Sequence, residues 1–229
     1  MNLRRMKRQV SELLRQDDLD AALRAMGGWP SRQVINPLFG LLYSGDERLR
    51  WHAVTAIGVV TARLADQELE AARVIMRRLM WNLNDESGGM GWGSPQAMGE
   101  IMACHAALAE EYASILISYL DPQGNFLEHE GLQQSVLWGF GRLAHARPVL
   151  TQDGAVFLRP FLNASNALLR GLAVWAAAAV IDSALKDLIR TLCSDPAMIT
   201  VYFDRRLMQV TIADLAQAAM AREIVARNP

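Results

Sequence analysis

Residues 82–95 read Asn-Leu-Asn-Asp-Glu-Ser-Gly-Gly-Met-Gly-Trp-Gly-Ser-Pro, and here the sequence gathers the groups that could hold a ligand. Gly88, Gly89, Gly91 and Gly93 cannot all sit in a regular helix, and glycines serve where backbone takes positive φ or comes close to something else. Successive N–H groups leading into a helix N-terminus can hold an anion such as phosphate or carboxylate. Asp85 and Glu86 oppose that unless Arg77 or Arg78 offsets them. They would equally suit a hard cation, but two adjacent carboxylates without the rest of an EF-hand pattern are a weak metal signal. Trp81 and Trp92 flank the loop and could wall a small pocket. The loop candidates for binding are therefore Trp81, Asp85, Glu86, Gly88, Gly89, Gly91 and Trp92. The competing expectation is an elaborate turn, with Asp85 or Glu86 capping N–H groups and Trp92 locking the loop down.

Other reactive side chains form no constellation. His52, His105, His129 and His145 include no i, i+4 pair, so a helical zinc motif is missing. Cys104 and Cys193 lie far apart and outside any metal or redox spacing. Adjacent helix residues point about 100° apart, so Cys104 and His105 do not make a ligand pair. Neither a nucleophile elbow nor a P-loop occurs, and the glycine run lacks the spacing of a dinucleotide fingerprint. If there were catalysis, Glu86 and Glu100 are the carboxylates to suspect. We therefore expect no catalytic residue, no metal and no cofactor.

Composition narrows the classes further. With 23 basic and 24 acidic residues the net charge is −1, which supplies no overall field for phosphate and disfavours nucleic acid. The longest apolar run, Gly171 to Ile181, is about half of the roughly 20 residues a membrane span requires. The basic start, Arg4, Arg5, Lys7 and Arg8, lacks the apolar core of a secretory signal. These features predict a cytoplasmic protein that neither crosses a membrane nor carries disulfides. Ala and Leu are abundant, and little or no sheet is expected.

The elements that must position the loop emerge from an internal repeat. Leu49-Arg50-Trp51-His52-Ala53-Val54-Thr55-Ala56-Ile57-Gly58 has the form apolar-Arg-x-x-small-x-x-Ala-apolar-Gly. The frame can be laid again on Met90–Gly99, Leu132–Gly141, Leu169–Ala178 and Leu207–Ala216, with starts 41, 42, 37 and 38 residues apart. It resembles the second helix of HEAT repeats, including the phycobilisome-lyase type, whose period is about 40–47 residues. Positions one, five, eight and nine share one stripe of a helix, and small residues there let neighbouring helices approach closely. Gln67 to Leu83, Tyr112 to Leu120 and Ala155 to Leu162 would supply first helices. A helix pair cannot bury its apolar face alone, so pairs must stack.

The expected fold is an all-α, right-handed α-α superhelix, a solenoid of about five HEAT-like helix pairs. Residues 1–229 form one domain in this reading, with capping helices over 1–28. Ser94-Pro95 is an N-cap and N1 pair, so the second copy should begin about one turn late.

In such a solenoid the second helices line a concave face. Position four gives His52, Gly93, Ser135, Leu172 and Val210. Position seven gives Thr55, Gln96, Trp138, Trp175 and Ala213, and the position after the Gly gives Val59, Glu100, Arg142, Ala179 and Gln217. Thr55, Gln96, Glu100, Trp138, Arg142 and Trp175 are the concave-face binding candidates, with Glu100 and Arg142 expected to pair and the two tryptophans to lie side by side. This favours a non-enzymatic scaffold that binds another protein. The alternative, implied by the lyase-type resemblance, is a small-molecule or cofactor-handling protein, lyase- or chaperone-like, using loop 84–95. A resemblance to HEAT-type DNA glycosylases would imply paired tryptophans in a cationic groove, against which the charge balance counts.

Overall fold

The computed structural model describes residues 3–84, 91–180 and 182–227. The chain divides into two compact units, residues 1–109 and 110–229.

In the first unit, α1 (Leu3–Leu14) buries Met6, Val10 and Leu14, one residue per turn on a single stripe. It is followed by α2 (Leu19–Gly27), α3 (Ser31–Leu41) and α4 (Glu47–Gln67). The last is the centre of the unit, 21 residues long and buried on several sides. His52 Nδ1 lies 2.8 Å from Leu14 O, the carbonyl that ends α1. Arg63 further along donates to Met26 O and Trp29 O, each at 3.4 Å, and to Ser31 Oγ at 3.2 Å. The Leu14 carbonyl at the end of α1 thus finds its partner on α4, and Arg63 ties the segment between α2 and α3 to the same helix. Helix α5 (Leu69–Leu83) lays the guanidinium of Arg78 4.0 Å from the Phe39 ring centre, and α6 (Ser94–Cys104) packs along α4.

Helix α7 (Ala106–Ser118) leads into the second unit, where α8 (Glu130–Ala146) follows a turn at Asp121–Asn125. Residues Pro148–Leu158 form a 3₁₀ helix that runs into the four residues of α9 (Arg159–Leu162). The regular helix expected over Ala155–Leu162 is therefore 3₁₀ in its first half and α-helical in its second. Helices α10 (Ala167–Ala177) and α11 (Ser183–Thr191) come next, and α12 (Ile212–Arg227) ends the described chain.

Between α11 and α12 lies the main departure from expectation. Met198–Phe203 (β1) and Arg206–Thr211 (β2) pair antiparallel, Phe203 opposite Arg206 and Met198 opposite Thr211. Asp204 and Arg205 have φ of 46° and 64°, the left-handed pair of a two-residue hairpin turn. The fifth copy of the frame, Leu207–Ala216, thus falls on a strand, and helix resumes only at Ile212. The hairpin packs on α10, where Gly171 leaves room for Ile199: a Cβ at Gly171 would collide with Ile199 Cδ1.

Candidate functional site

The second residue of the frame proves to have a repeated task. Arg50 Nη1 donates to Ser44 O, six residues back, at 3.2 Å. Arg170 Nη1 donates to Ala164 O, also six back, and to Ser165 O, each at 2.8 Å. In the third copy Gln133 stands at that position and Nε2 reaches Glu128 O at 3.3 Å. Each of these helices is also capped three residues before frame position one: Asp46 Oδ1 accepts from Leu49 N, His129 Nδ1 from Gly131 N, and Asn166 Oδ1 from Leu169 N. The side chain after the first apolar residue thus ties the helix to the loop that leads into it.

Arg170 does more than its counterparts. Its Nε and Nη2 lie 3.0 and 2.9 Å from Asp195 Oδ2, and the two side chains are only 19% and 14% exposed. Asp195 Oδ1 in turn accepts from Ala197 N, and its carbonyl accepts from Ala213 N, so the pair fixes both ends of the hairpin. The Ala197 amide foremost, and then Arg170, hold the Asp195 carboxyl below the usual carboxylate range. Asp46 is lowered likewise, chiefly by the Leu49 amide.

The closing glycine of the frame is required by close approach. A Cβ at Gly58 would run into the Glu100 side chain, and one at Gly141 would stand 2.5 Å from a Trp175 ring carbon. Ring atoms have no flexible tail to withdraw, so Gly141 sets how near α8 and α10 can lie.

The glycine loop of the first unit is partly on view. Asp85, Glu86, Gly88 and Gly89 lie outside the described residues. Gly91 and Gly93 take φ of +53° and +79°, as glycines in such a segment should. Both are packed against the protein's own chain: a Cβ at Gly91 would be 2.8 Å from Asn82 O, and one at Gly93 3.0 Å from Leu42 Cδ2. Helix α6 begins at Ser94, as late as expected, but Gly93 rather than Ser94 occupies the cap position and Ser94 is buried. Trp92 is half-buried. Trp81, by contrast, is 74% exposed at the end of α5, and Val74 seven residues earlier is 53% exposed on the same helix face. Tyr43, next to the Leu42 that Gly93 touches, is 50% exposed.

The ladder positions are distributed differently from a uniformly open face. In the first unit Thr55 and Glu100 are buried and Gln96 is half-buried. Glu100 Oε1 lies 3.7 Å from Cys104 Sγ, and Asp66 Oδ1 3.5 Å from His105 Nε2. In the second unit Arg142 is half-buried, and Trp138 and Trp175 lie side by side with ring centres 6.1 Å apart. The hairpin covers them. Trp138, 3% exposed, donates its indole N–H to Tyr202 O at 2.8 Å, and Phe203 lies 4.6 Å from the Trp175 ring, with His145 stacked at 4.9 Å. Nothing in the repeat frame pointed to Tyr202, Phe203 and His145. The run Ile199-Thr200-Val201-Tyr202-Phe203, rich in β-branched and aromatic residues, is the signal that could have found the first two. Among the described residues no three His, Cys, Asp or Glu side chains come together as a metal site, and no helix is long and apolar enough to cross a membrane.

Comparison with solved structures defines the class. A designed armadillo repeat protein is 20% identical with a TM-score of 0.52, covering 93% of this chain and 98% of its own. A second designed armadillo protein, in complex with a (KR)4 peptide, is also 20% identical with a TM-score of 0.52 over 93% and 97% of the two chains. An engineered protein reaches a TM-score of 0.54 at 15% identity over 96% of each. The fold is accordingly a helical-repeat solenoid, related to HEAT. Among curated sequences, an uncharacterized protein of Archaeoglobus fulgidus is 32% identical over 107 residues, 47% of this chain. The match spans about half of that relative, 52% of its length. No family model matches the chain.

Proposed function

We propose that this chain is a non-enzymatic interaction scaffold, built of HEAT-like repeats, which holds another protein. The observation that carries the proposal is the water-facing apolar surface of α5, Trp81 at 74% and Val74 at 53% exposure, on one helix face. Single exposed apolar residues are ordinary, but a tryptophan left this open, with a second large apolar group two turns away on the same helix face, has the composition of a binding hot spot. Two further observations support the reading: the repeat architecture, and the fact that a structural neighbour is a designed repeat protein in complex with a peptide. The HEAT-like assignment itself rests on the residue frame together with the loop-binding side chain at its second position.

The geometry redistributes the candidate residues. With Trp138 under the hairpin, we place the contact surface on the first unit, around Trp81, Val74 and Tyr43. Gly91 and Gly93 are committed to contacts with Asn82 and Leu42, which favours a structural role for that part of the loop over ligand binding.

A benzophenone amino acid at position 81 tests the proposal. Irradiation in native lysate should yield an adduct with one protein, suppressed by excess wild-type chain but not by a Trp81→Ser/Val74→Ser double variant of unchanged helicity. Adducts spread over many abundant proteins, or suppressed equally by the double variant, would refute it. A small-molecule adduct alone would move the site to the loop.

A further inference from the structure

We propose that the partner held by the first unit presents an acidic segment with an apolar anchor, and that Lys7 and Arg78 receive a carboxylate of that segment. The inference rests on the scaffold reading and adds the partner's chemistry to it. Charge is unevenly shared along the chain. Helices α1, α3 and α5, with the Glu68 that precedes α5, carry eight of the 23 Lys and Arg side chains but only three of the 24 Asp and Glu, a net charge of +5. The rest of the chain therefore carries −6, and a protein with almost no net charge keeps one strongly cationic group of helices.

Two of these cations converge on one turn of α3. Asn36 and Gly40 lie one turn apart on the exposed stripe of that helix, and Tyr43 continues the stripe. Lys7 crosses from α1, its Cε and Nζ lying 3.9 and 4.0 Å from the point where a Cβ of Gly40 would stand. Arg78 arrives from α5: its Nη1 donates to Asn36 Oδ1 at 2.6 Å, and its guanidinium carbon lies 4.0 Å from the centre of the Phe39 ring. Asn36 and Phe39 are neutral, so these contacts fix the guanidinium without cancelling its charge. Among the described residues neither Lys7 nor Arg78 forms an ion pair. The bond to Asn36 uses one of five N–H donors, and the planar fork that remains suits a carboxylate.

The apolar half of the partner follows from the neighbours of Arg78 on α5. Arg78 comes four residues after Val74 and three before Trp81, so a fixed positive charge and two exposed apolar groups share about 10 Å of one helix face. A segment that combines carboxylates with an apolar side chain matches both features. A nucleic-acid backbone matches less well, since it needs a run of open cations, whereas here Glu68 already holds Arg32 and Glu70 holds Arg77. Because Arg78 is already held by Asn36 and Phe39, it loses little rotamer freedom on binding.

The test follows the fluorescence anisotropy of fluorescein-labelled Glu-Glu-Leu repeat peptides titrated with the whole chain. Arg78→Gln and Lys7→Gln should each weaken binding at least tenfold. Arg159→Gln, which removes the same charge from an exposed position of the second unit, should leave it unchanged. Gly40→Glu sets a carboxylate of the chain itself beside Lys7 and should abolish binding while raising Tm, because glutamate favours helix over glycine. Lost binding with higher stability excludes misfolding as the cause. Glu-Glu-Ser repeats, which lack the apolar anchor, should bind more weakly. The proposal is overturned if Glu-Glu-Leu repeats do not bind, if Arg159→Gln weakens binding as much as Arg78→Gln, or if Lys-Lys-Leu repeats, single-stranded oligothymidylate or phosphatidylserine vesicles bind more tightly. The benzophenone adduct at position 81 separates this failure from that of the scaffold reading. An adduct with one protein that survives Arg78→Gln undiminished keeps the scaffold and removes the acidic partner, whereas the absence of any specific adduct removes both.

Discussion

Replacing Arg170 by Ala removes a guanidinium that bonds to Ala164 O, Ser165 O and the Asp195 carboxylate from a site where both charged groups are mostly shielded. Hydrogen bonds to charged groups contribute about 1.5–3 kcal/mol each and do not add fully when they share one donor group. Asp195 keeps its bond from Ala197 N, which limits the loss. We expect a net cost of about 3 kcal/mol, corresponding to a fall of about 6–12 °C in Tm for a chain of this size. Arg50 provides the internal reference. It makes one 3.2 Å bond to Ser44 O and a 3.8 Å ion pair with Glu47, and its side chain is 37% exposed. Arg50→Ala should therefore cost about 1 kcal/mol or less. The two variants can be compared by urea denaturation, followed by far-ultraviolet circular dichroism. Equal costs at the two positions would refute the reasoning, because they would mean that the loop carbonyl, common to both, dominates and the Asp195 pair contributes nothing.

Two further outcomes follow from the same geometry. Gly141→Ala should destabilise by a net of about 1–2 kcal/mol, since its Cβ meets the Trp175 ring and an overpacking penalty toward the upper end of about 1–3 kcal/mol outweighs the roughly 1 kcal/mol gained in helix propensity. Gly28→Ala, with nothing within 4 Å and φ of −81°, should be neutral, and thermal melts of the pair check both. The lowered pKa of Asp195 makes stability pH-dependent: the contribution is complete above the unfolded value near 4 and is lost as pH falls through the folded value. The deficit of Arg170→Ala relative to wild type should accordingly shrink below about pH 4, and a deficit that grows on acidification would contradict the assignment.

The helical frame was legible in sequence because its residues act over short distances. Leu49–Gly58, Leu132–Gly141 and most of Leu169–Ala178 lie on α4, α8 and α10, and the late start of α6 at Ser94 could be read from Ser94-Pro95. The hairpin was not legible, for two reasons. Its turn is Asp204-Arg205, without the glycine that usually marks a hairpin, and Leu207–Ala216 happens to satisfy the apolar positions of a helical frame, although Asp214 stands where the frame has Ala. What makes it strand is tertiary: Ile199 enters the gap at Gly171, and Tyr202 and Phe203 cover Trp138 and Trp175. The exposure of the tryptophans was undecidable from periodicity for the same reason, because a ladder position does not say what later chain folds over it. Trp81, which the sequence marked as a loop wall, lies at the end of α5 and shares an exposed face of that helix with Val74, a relation that the repeat frame did not point to.

The bonds made by Arg50, Gln133 and Arg170 bear on how the chain finds its structure. Each closes over five or six residues, so it can form before any neighbouring repeat has folded. A helix that starts one residue early or late would aim that side chain away from its carbonyl, and the error would be disfavoured within the repeat itself. Contacts of such short range carry little loop-closure entropy and favour fast folding that can begin at several places along the chain. The hairpin is the exception. The Trp138 bond to Tyr202 O joins residues 64 apart, so the covering of the aromatic pair must wait for α8 and α10, which makes it the slow closing step of the second unit.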